Sequence, residues 1–336
     1  MIKIHKLLFF ITLIIGTFIT ISSYTWFSMW MGLEINLLSI IPLLKDSKNI
    51  YPSEAAFKYF ITQALASSIL LFSVILMLNF NEHLILYTSN YSMILNMALF
   101  LKIGIAPFHS WFPEVAEGLN WANNMLLFTW QKLAPMIILL YSQDSSILFQ
   151  SILILASLIG GLMGLNQISL RKILAYSSIN HMSWMLSSML FSQVIWLYYF
   201  FIYSLTTISI IILFMNLNIF NIIQLFICFS LNKNLKFSLM MNFFSLGGLP
   251  PFLGFLPKWL VINNLVNNKF YLISLILIAM TLITLFFYLR LMLFALILST
   301  KETSIMYNVK ISYLVSFLNF LNLTGILACT LMFNYI

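Results

Sequence analysis

Five ionisable residues of this chain fall inside long apolar stretches, where little water can reach a charge: Glu34, Lys102, Lys132, Lys258 and Arg290. Placing a charged side chain at the centre of a bilayer costs at least about 2.5–3.5 kcal/mol, so each of these residues requires a specific reason. Burial disfavours the charged form of a lysine, which lets a lysine in such a place take up and release protons, whereas arginine keeps its proton. The glutamate and the lysines therefore predict a proton relay.

Two of these residues lie at the centres of predicted membrane spans. Glu34 is the only acidic residue in the middle of a span, at residues 24–44, and Lys132 occupies the middle of a span at residues 121–141. An ammonium group at that depth cannot easily extend to the headgroup region. We predict Glu34 and Lys132 as relay residues.

The other three charges permit more than one interpretation. Lys102 lies toward one end of its apolar stretch and could extend to the membrane interface instead of joining a relay. Lys258 follows an interrupted stretch, so counting residues does not fix its depth. Arg290 lies about two turns from the end of its span, and contact with lipid or the interface explains it better than a relay does.

Two histidines are further candidates, because imidazole titrates near neutral pH. His181 lies mid-span in the segment 177–181 (Ser-Ser-Ile-Asn-His), whose hydroxyl and amide groups can hold water; a hydrogen-bonded core histidine is the alternative. His109 follows an interrupted stretch near the surface, and the sequence does not decide between a proton-carrying and a structural role.

Glycine and proline interrupt two of the apolar stretches. The first interruption is Lys-Ile-Gly-Ile-Ala-Pro at 102–107, and the second is Leu-Gly-Gly-Leu-Pro-Pro at 246–251. Proline removes a backbone donor and clashes one turn back, so both helices should break. Broken helices in a membrane protein are tolerated against protein or a water-filled cavity, and they are typical of ion pathways. A simple packing kink is the alternative.

Composition indicates which elements must position these side chains. The 336 residues are 62% hydrophobic and 7% charged, with a mean hydropathy of +1.02. Soluble globular chains carry about 25% charged residues, so this chain has too few for a solvated surface. Its apolar runs are long enough for membrane helices and do not alternate like the strands of a barrel. We predict an all-α integral membrane protein, a single polytopic domain over residues 1–336 with about eleven spans, at roughly 7–23, 24–44, 55–80, 87–107, 121–141, 147–166, 170–191, 193–217, 237–265, 270–298 and 312–334.

The basic residues at and near the ends of the spans indicate the orientation. With eleven spans, eleven of them fall on the side of the N-terminus and Lys269 alone falls on the other side. Basic residues accumulate on the inner side of a membrane, so the N-terminus is predicted to face that compartment and the C-terminus the opposite one. The eleven are Lys3, Lys6, Lys45, Lys48, Lys58, Arg171, Lys172, Lys233, Lys236, Lys301 and Lys310.

Several classes of partner and cofactor are excluded. The net charge of +8 comes from lysines scattered at the ends of apolar runs, not from the basic face that nucleic acid requires. Cys228 and Cys329 are too isolated to hold an iron–sulfur cluster or a structural zinc ion. The sequence contains no phosphate-binding loop and no dinucleotide fingerprint. We predict no metal site and no redox cofactor in this chain.

Five strings of the sequence resemble one known family: 31–36 (Met-Gly-Leu-Glu-Ile-Asn), 101–114, 130–135 (Trp-Gln-Lys-Leu-Ala-Pro), 177–181 and 246–259. They are similar to the chain 2 family of NADH:ubiquinone oxidoreductase, the antiporter-like subunits in the membrane arm of respiratory complex I. The resemblance covers nearly the whole chain. The abundance of Phe, Ile, Asn and Lys, with few Gly and only two Arg, indicates an A/T-rich organellar genome and an insect or other invertebrate version.

The resemblance implies a fold and roles for individual residues. Bacterial members have fourteen helices and animal members lack the first three, which agrees with the eleven spans counted here. Glu34 matches the family's glutamate that pairs with the lysine at Lys102, Lys132 matches the central-axis lysine, and Lys258 matches the lysine of the second broken helix.

The resemblance also implies a function. Quinone reduction elsewhere in the complex would drive protons through this chain, while NADH, flavin (FMN), iron–sulfur clusters and ubiquinone would be bound by other subunits. The implied partners are other membrane-arm subunits, including neighbouring antiporter-like chains, and phospholipids such as cardiolipin. The implied location is the mitochondrial inner membrane, with the N-terminus in the matrix and the C-terminus in the intermembrane space.

Two other functions remain open at this point. A free-standing cation/proton antiporter would carry the same buried charges, and it would transport ions as an isolated protein. A purely structural spacer in the membrane arm would tolerate neutralisation of Lys132 without any loss of pumping.

Overall fold

The computed structural model describes residues 4–45, 49–79, 85–142, 147–231, 233–250 and 252–297, together with seven positions between 316 and 325. Within these residues the regular structure is helical, apart from one isolated antiparallel bridge between Ser169 and Asn221. The prediction of an all-helical chain is confirmed. The last predicted span, 312–334, lies largely outside the described residues.

Fourteen helices are defined in the part of the chain that the structure describes. They are α1 (Ile4–Ser22), α2 (Trp26–Leu44), α3 (Tyr51–Asn79), α4 (Ile85–Ile103), α5 (Trp111–Gly118), α6 (Trp121–Phe128), α7 (Trp130–Tyr141), α8 (Ile147–Leu162), α9 (Leu170–Met189), α10 (Gln193–Leu217), α11 (Ile222–Leu231), α12 (Lys233–Gly247), α13 (Phe255–Asn267) and α14 (Tyr271–Ile297). Five of them are long and apolar enough to cross a membrane: α1, α2, α3, α10 and α14.

The helices form two compact units, residues 1–149 and residues 150–336. In the first unit, α1 and α2 pack closely because Gly32 presents no side chain. A Cβ atom added there would lie 2.9 Å from the backbone nitrogen of Thr20 on α1. Helices α2, α3, α4 and α7 then surround a polar interior, which is described below.

In the second unit, α9 is the central helix, and eighteen of its twenty residues are buried. Gly160 of α8 lies directly against it, since a Cβ atom added at Gly160 would lie 2.7 Å from the backbone nitrogen of Asn180. A buried amide cluster joins α10 and α12 to the C-terminal segment. Asn242 accepts hydrogen bonds from Ser209 at 3.1 Å and from Asn322 at 2.5 Å.

Both predicted interruptions are confirmed. Helix α4 ends at Ile103, Gly104 follows with φ +80°, and the chain becomes helical again only at Trp111. Helix α12 ends at Gly247, and Gly248 follows with φ +77° before α13 begins at Phe255. A residue with a side chain adopts these left-handed conformations at a cost, so glycine is the residue expected at both places.

The span predicted at 121–141 is not one continuous helix. The segment forms two helices, α6 and α7, separated at Thr129 with φ −112° and ψ −73°. The Thr129 hydroxyl donates to the carbonyl of Met125 at 2.6 Å, a bond that bends helices. Pro135 weakens the next turn, because it has no N–H to donate to the carbonyl of Gln131. Lys132 therefore lies in the first turn of α7 and not in the middle of a long helix.

Two short helices occupy segments between the predicted spans. Helix α5 lies between the spans predicted at 87–107 and 121–141, and α11 lies between those predicted at 193–217 and 237–265. The amide of Gln224 shapes the start of α11, because its oxygen accepts from the backbone nitrogens of Phe220 at 2.8 Å and Asn221 at 3.2 Å.

Candidate functional site

A small polar cavity lies in the first unit between α2, α3, α4 and α7. It has room for a water molecule with polar partners. Amides, a phenol and an ammonium group line it in an otherwise apolar helical unit. The lining residues are Leu33, Asn36, Leu37, Tyr59, Gln63, Lys102, Gln131 and Pro135.

Lys102 reaches this cavity from the last turn of α4, and it is only 7% exposed. The break after α4 leaves carbonyl groups without helical partners, and side chains satisfy two of them. Gln63 donates to the carbonyl of Lys102 at 3.1 Å, and Trp111 donates to the carbonyl of Leu101 at 3.2 Å. These neutral caps fix the end of α4 while leaving the ammonium group of Lys102 on the cavity.

A chain of hydrogen bonds crosses the cavity between three helices. Tyr59 of α3 donates to the amide oxygen of Gln131 on α7 at 3.3 Å. The amide nitrogen of Gln131 donates in turn to Asn36 of α2 at 2.9 Å. Because Tyr59 and Asn36 are both buried, Gln131 provides the partner for a donor on one helix and an acceptor on another.

Glu34 lies on α2, two residues before Asn36, and is half-buried. Its carboxylate forms no ion pair with Lys102 within 4 Å. Two ion pairs of the first unit involve Lys58, with Glu54 at 3.6 Å and Glu114 at 3.0 Å. Direct pairing of Glu34 with Lys102 stays a prediction.

Lys132 is 2% exposed and lies among aromatic side chains of the first unit. Its Nζ atom is 5.0 Å from the centre of the Phe112 ring and 6.0 Å from that of Phe128. The faces of aromatic rings attract a cation and cannot accept a proton from it. This aromatic environment can stabilise an ammonium group inside the first unit.

Lys258 of the second unit reaches back to the end of the preceding helix, and it is 6% exposed. Its ammonium group donates to the carbonyl of Gly247 at 2.8 Å and to that of Leu246 at 3.3 Å. The carboxyl end of a helix carries partial negative charge, so it can hold this cation where no carboxylate is required.

His181 lies in the middle of α9 and is 7% exposed. Its Nδ1 atom is 3.0 Å from the hydroxyl of Tyr199, and its ring centre is 5.3 Å from that of Tyr203. A tyrosine hydroxyl can both donate and accept, so this contact suits a histidine that exchanges a proton and also one that is simply hydrogen-bonded in the core. Both interpretations of His181 remain.

The two residues whose role the sequence left open lie in less buried places. His109 is half-buried in the connection between α4 and α5, with Nδ1 3.3 Å from the carbonyl oxygen of Pro107. Burial lowers the pKa of His109 below its ordinary value. Arg290 is partly exposed on α14. Among the described residues, no group of three or more His, Cys, Asp or Glu side chains is arranged to hold a metal ion.

The neutral polar residues that line the cavity were not predicted as site residues. They are Asn36, Tyr59, Gln63 and Gln131. A signal was present, because an amide inside an apolar span is costly unless it has a partner. Gln131 and Asn36 also lie close in sequence to Lys132 and Glu34. The contact between Gln131 and Asn36 could not be predicted from a local pattern, because the two residues are separated by 95 positions in the chain.

Comparison with known proteins identifies the family of the chain. The family model described as NADH:quinone oxidoreductase/Mrp antiporter, TM matches residues 23–284. NADH-ubiquinone oxidoreductase chain 2 of Anopheles gambiae is 48% identical over 98% of this chain and 98% of its own length. The chain belongs to the NADH-ubiquinone oxidoreductase chain 2 family. A second member, from Locusta migratoria, is 42% identical over 97% of this chain and 96% of its own length.

A solved structure shows that the fold is shared with a distant relative. A chain of respiratory complex I from Thermus thermophilus, solved with bound aureothin, superposes with a TM-score of 0.86. It is 21% identical, and the match covers 97% of this chain and 79% of that chain. The fold of the chain 2 family member described here is therefore the antiporter-like fold.

Proposed function

We propose that the chain translocates protons as a core subunit in the membrane arm of respiratory complex I. In the first unit Glu34, Lys102 and Lys132 would carry the relay, and in the second unit His181 and Lys258. The observation that supports this most directly is Lys102, a buried lysine on a cavity lined by hydrogen-bonding side chains. Membership of the family supplies the context in which such a site would be used.

The neutral residues of the cavity would support proton transfer without changing charge. A water molecule among Asn36, Tyr59, Gln63 and Gln131 would find several donors and acceptors. It could pass a proton to or from Lys102, while the amides keep its orientation. The charge of Glu34 would stabilise the ammonium form of Lys102, so any change at Glu34 would alter how firmly Lys102 holds its proton.

The energy would come from chemistry in other subunits. We infer that NADH, FMN, iron–sulfur clusters and ubiquinone are bound outside this chain. The partners would be other membrane-arm subunits, including neighbouring antiporter-like chains, and phospholipids such as cardiolipin. No nucleic acid is involved.

The membrane placement follows the same proposal. The chain would lie in the mitochondrial inner membrane as a single polytopic domain with about eleven spans. The N-terminus would face the matrix and the C-terminus the intermembrane space. The distribution of basic residues supports this orientation.

The test is the ratio of protons translocated to electrons transferred in the assembled complex. Lys102→Met should assemble, since methionine keeps most of the volume, but should lower that ratio. Lys58→Met is the matched control, because Lys58 is an exposed lysine with surface ion pairs, and its ratio should stay normal. An unchanged ratio in Lys102→Met would leave only the structural-spacer function for this site.

A cation/proton antiporter remains the second candidate, because the matching family model also covers Mrp antiporters. The two functions differ in what drives the ion. An antiporter would exchange protons for sodium in liposomes without NADH or quinone, whereas a complex I subunit would couple proton movement to electron transfer.

A further inference from the structure

We propose that Gly248 is a positioning residue for Lys258: its lack of a side chain lets the Lys258 ammonium group close the carboxyl end of α12. The last carbonyl groups of a helix have no partners within the helix. At the end of α12 these groups are found on Phe244, Ser245, Leu246 and Gly247. Each of the four accepts a hydrogen bond in this structure, and Lys258 supplies two of them.

The first two carbonyls are satisfied by the backbone. Gly248 donates to Phe244 at 3.0 Å and to Ser245 at 3.1 Å, and Leu249 donates to Phe244 at 3.2 Å. This pattern is a Schellman motif, which requires a left-handed residue after the helix. Gly248 occupies that place with φ +77°.

The remaining two carbonyls face Lys258. Its Nζ atom lies 2.8 Å from the oxygen of Gly247 and 3.3 Å from that of Leu246. A charge-assisted bond to a carbonyl is stronger than a neutral one, and the negative end of the helix dipole adds to it. The helix end thus fixes the position of the ammonium group, and the ammonium group completes the helix end.

The backbone of Gly248 lies directly against the lysine side chain. A Cβ atom added at Gly248 would lie 2.8 Å from Cδ of Lys258, 2.9 Å from Nζ and 3.1 Å from Cε. Carbon atoms do not approach that closely, so a methyl group there would push Lys258 away from the carbonyls. Gly247 is different, because a Cβ atom added at Gly247 would have its nearest neighbours at 3.6 Å, on Leu285.

The end of α4, the other helix broken at a glycine, is capped differently, so a lysine cap is not a general feature of these breaks. At the end of α4, the carbonyls of Leu101 and Lys102 are capped by Trp111 and Gln63, both neutral. Lys102 itself is left on the cavity. At the end of α12 the equivalent caps come from Lys258, whose ammonium group can lose a proton.

The experiment uses assembled complexes that carry Gly248→Ala or the matched control Gly247→Ala. A structure of each complex should show the Lys258 ammonium displaced from the two carbonyls in Gly248→Ala and in place in Gly247→Ala. Undisturbed hydrogen bonds from Lys258 in Gly248→Ala would overturn the proposal, whatever the pumping activity.

Any effect of Gly248→Ala on pumping rests on the proposed function. The proton-to-electron ratio of the same complexes tests it separately. If Lys258 is displaced and the proton-to-electron ratio falls, Gly248 positions a relay residue. If Lys258 is displaced and the ratio stays normal, the positioning role stands and the relay role of Lys258 is lost.

A second pair of variants separates the side-chain contact from backbone strain. The loss of thermal stability caused by Gly248→Ala should be smaller in a Lys258→Ala background, because the obstructing side chain is gone. If Gly248→Ala lowers thermal stability equally in both backgrounds, the loss comes from backbone strain at Gly248 and not from contact with Lys258. That result would contradict the proposal. If Gly248→Ala does not assemble, Lys258→Met provides the test. It should speed hydrogen exchange at the amides of Gly248 and Leu249. Unchanged exchange would contradict the proposal that Lys258 stabilises the carboxyl end of α12.

Discussion

Gln131 donates a hydrogen bond to Asn36 at 2.9 Å and thereby joins α7 to α2 beside Lys102. Gln131→Leu should leave the Asn36 oxygen and the Tyr59 hydroxyl without this partner, at about 1–3 kcal/mol for each buried group. We expect lower thermal stability and a lower proton-to-electron ratio in the assembled complex. Gln167→Leu is the control, since the amide of Gln167 donates at an exposed place to the carbonyl of Met163. A normal ratio in Gln131→Leu would remove Gln131 from the pathway.

Lys132 should be replaceable without loss of assembly. In Lys132→Met, the new side chain would pack against the rings of Phe112 and Phe128, which thioethers contact favourably. Coupled NADH oxidation and proton transfer should both fall sharply, because an exchangeable proton is lost at this place. Lys269→Met, at an exposed position, should behave like the unmodified complex. Normal pumping in Lys132→Met would favour the spacer function.

Glu34 and Lys102 should be coupled energetically although they form no ion pair within 4 Å. Beyond 4 Å, at an effective dielectric constant of about 20, their attraction is less than about 4 kcal/mol. The effects of Glu34→Gln and Lys102→Met on the rate of proton translocation should therefore not add. A control cycle with Glu54→Gln, an exposed carboxylate, should be additive with Lys102→Met. Additive effects in the first cycle would make Glu34 and Lys102 independent sites.

His109 should make the connection between α4 and α5 sensitive to acid. Because burial lowers the pKa of His109, the unfolded chain binds a proton more readily than the folded one. The free energy of unfolding should therefore be independent of His109 above the ordinary histidine pKa of about 6.5. It should decrease as the pH falls below that value. The protection factors of the α5 amides, which correct for the slower intrinsic exchange at low pH, should fall as the pH is lowered from about 7.5 to about 5.5, and His109→Gln should remove this fall. His5→Gln, at an exposed histidine, is the control and should keep it. Equal pH dependence in His109→Gln and the unmodified complex would contradict this assignment.

The sequence was informative where a single residue determines local structure. Gly104 and Gly248 were identifiable as breaks because glycine and proline act through their own backbone. The break at Thr129 was missed, because threonine is common inside helices and Pro135 acts from within α7. The buried lysines were found because an ammonium group in an apolar stretch is conspicuous in any sequence.

The rest of the site depends on contacts between distant parts of the chain. Tyr59 meets Gln131 across 72 positions, and Gln63 meets the carbonyl of Lys102 across 39. No local pattern specifies which helix packs against which, so the cavity could not be derived from one sequence. The cap that Lys258 provides was equally hidden, because it depends on how the chain folds back after Gly248.

Each of the three buried lysines in the described part of the chain lies beside a helix interruption. Lys102 precedes the break at Gly104, Lys132 follows the one at Thr129, and Lys258 follows the one at Gly248. An unbroken helix is stiff, because bending it stretches a continuous ladder of hydrogen bonds, whereas an interruption bends with little resistance. A force transmitted to this chain from a neighbouring subunit would therefore deform it first at these three helix interruptions. If these lysines carry the proposed relay, a shift of the chain at an interruption would change their surroundings while the long helices keep their shape.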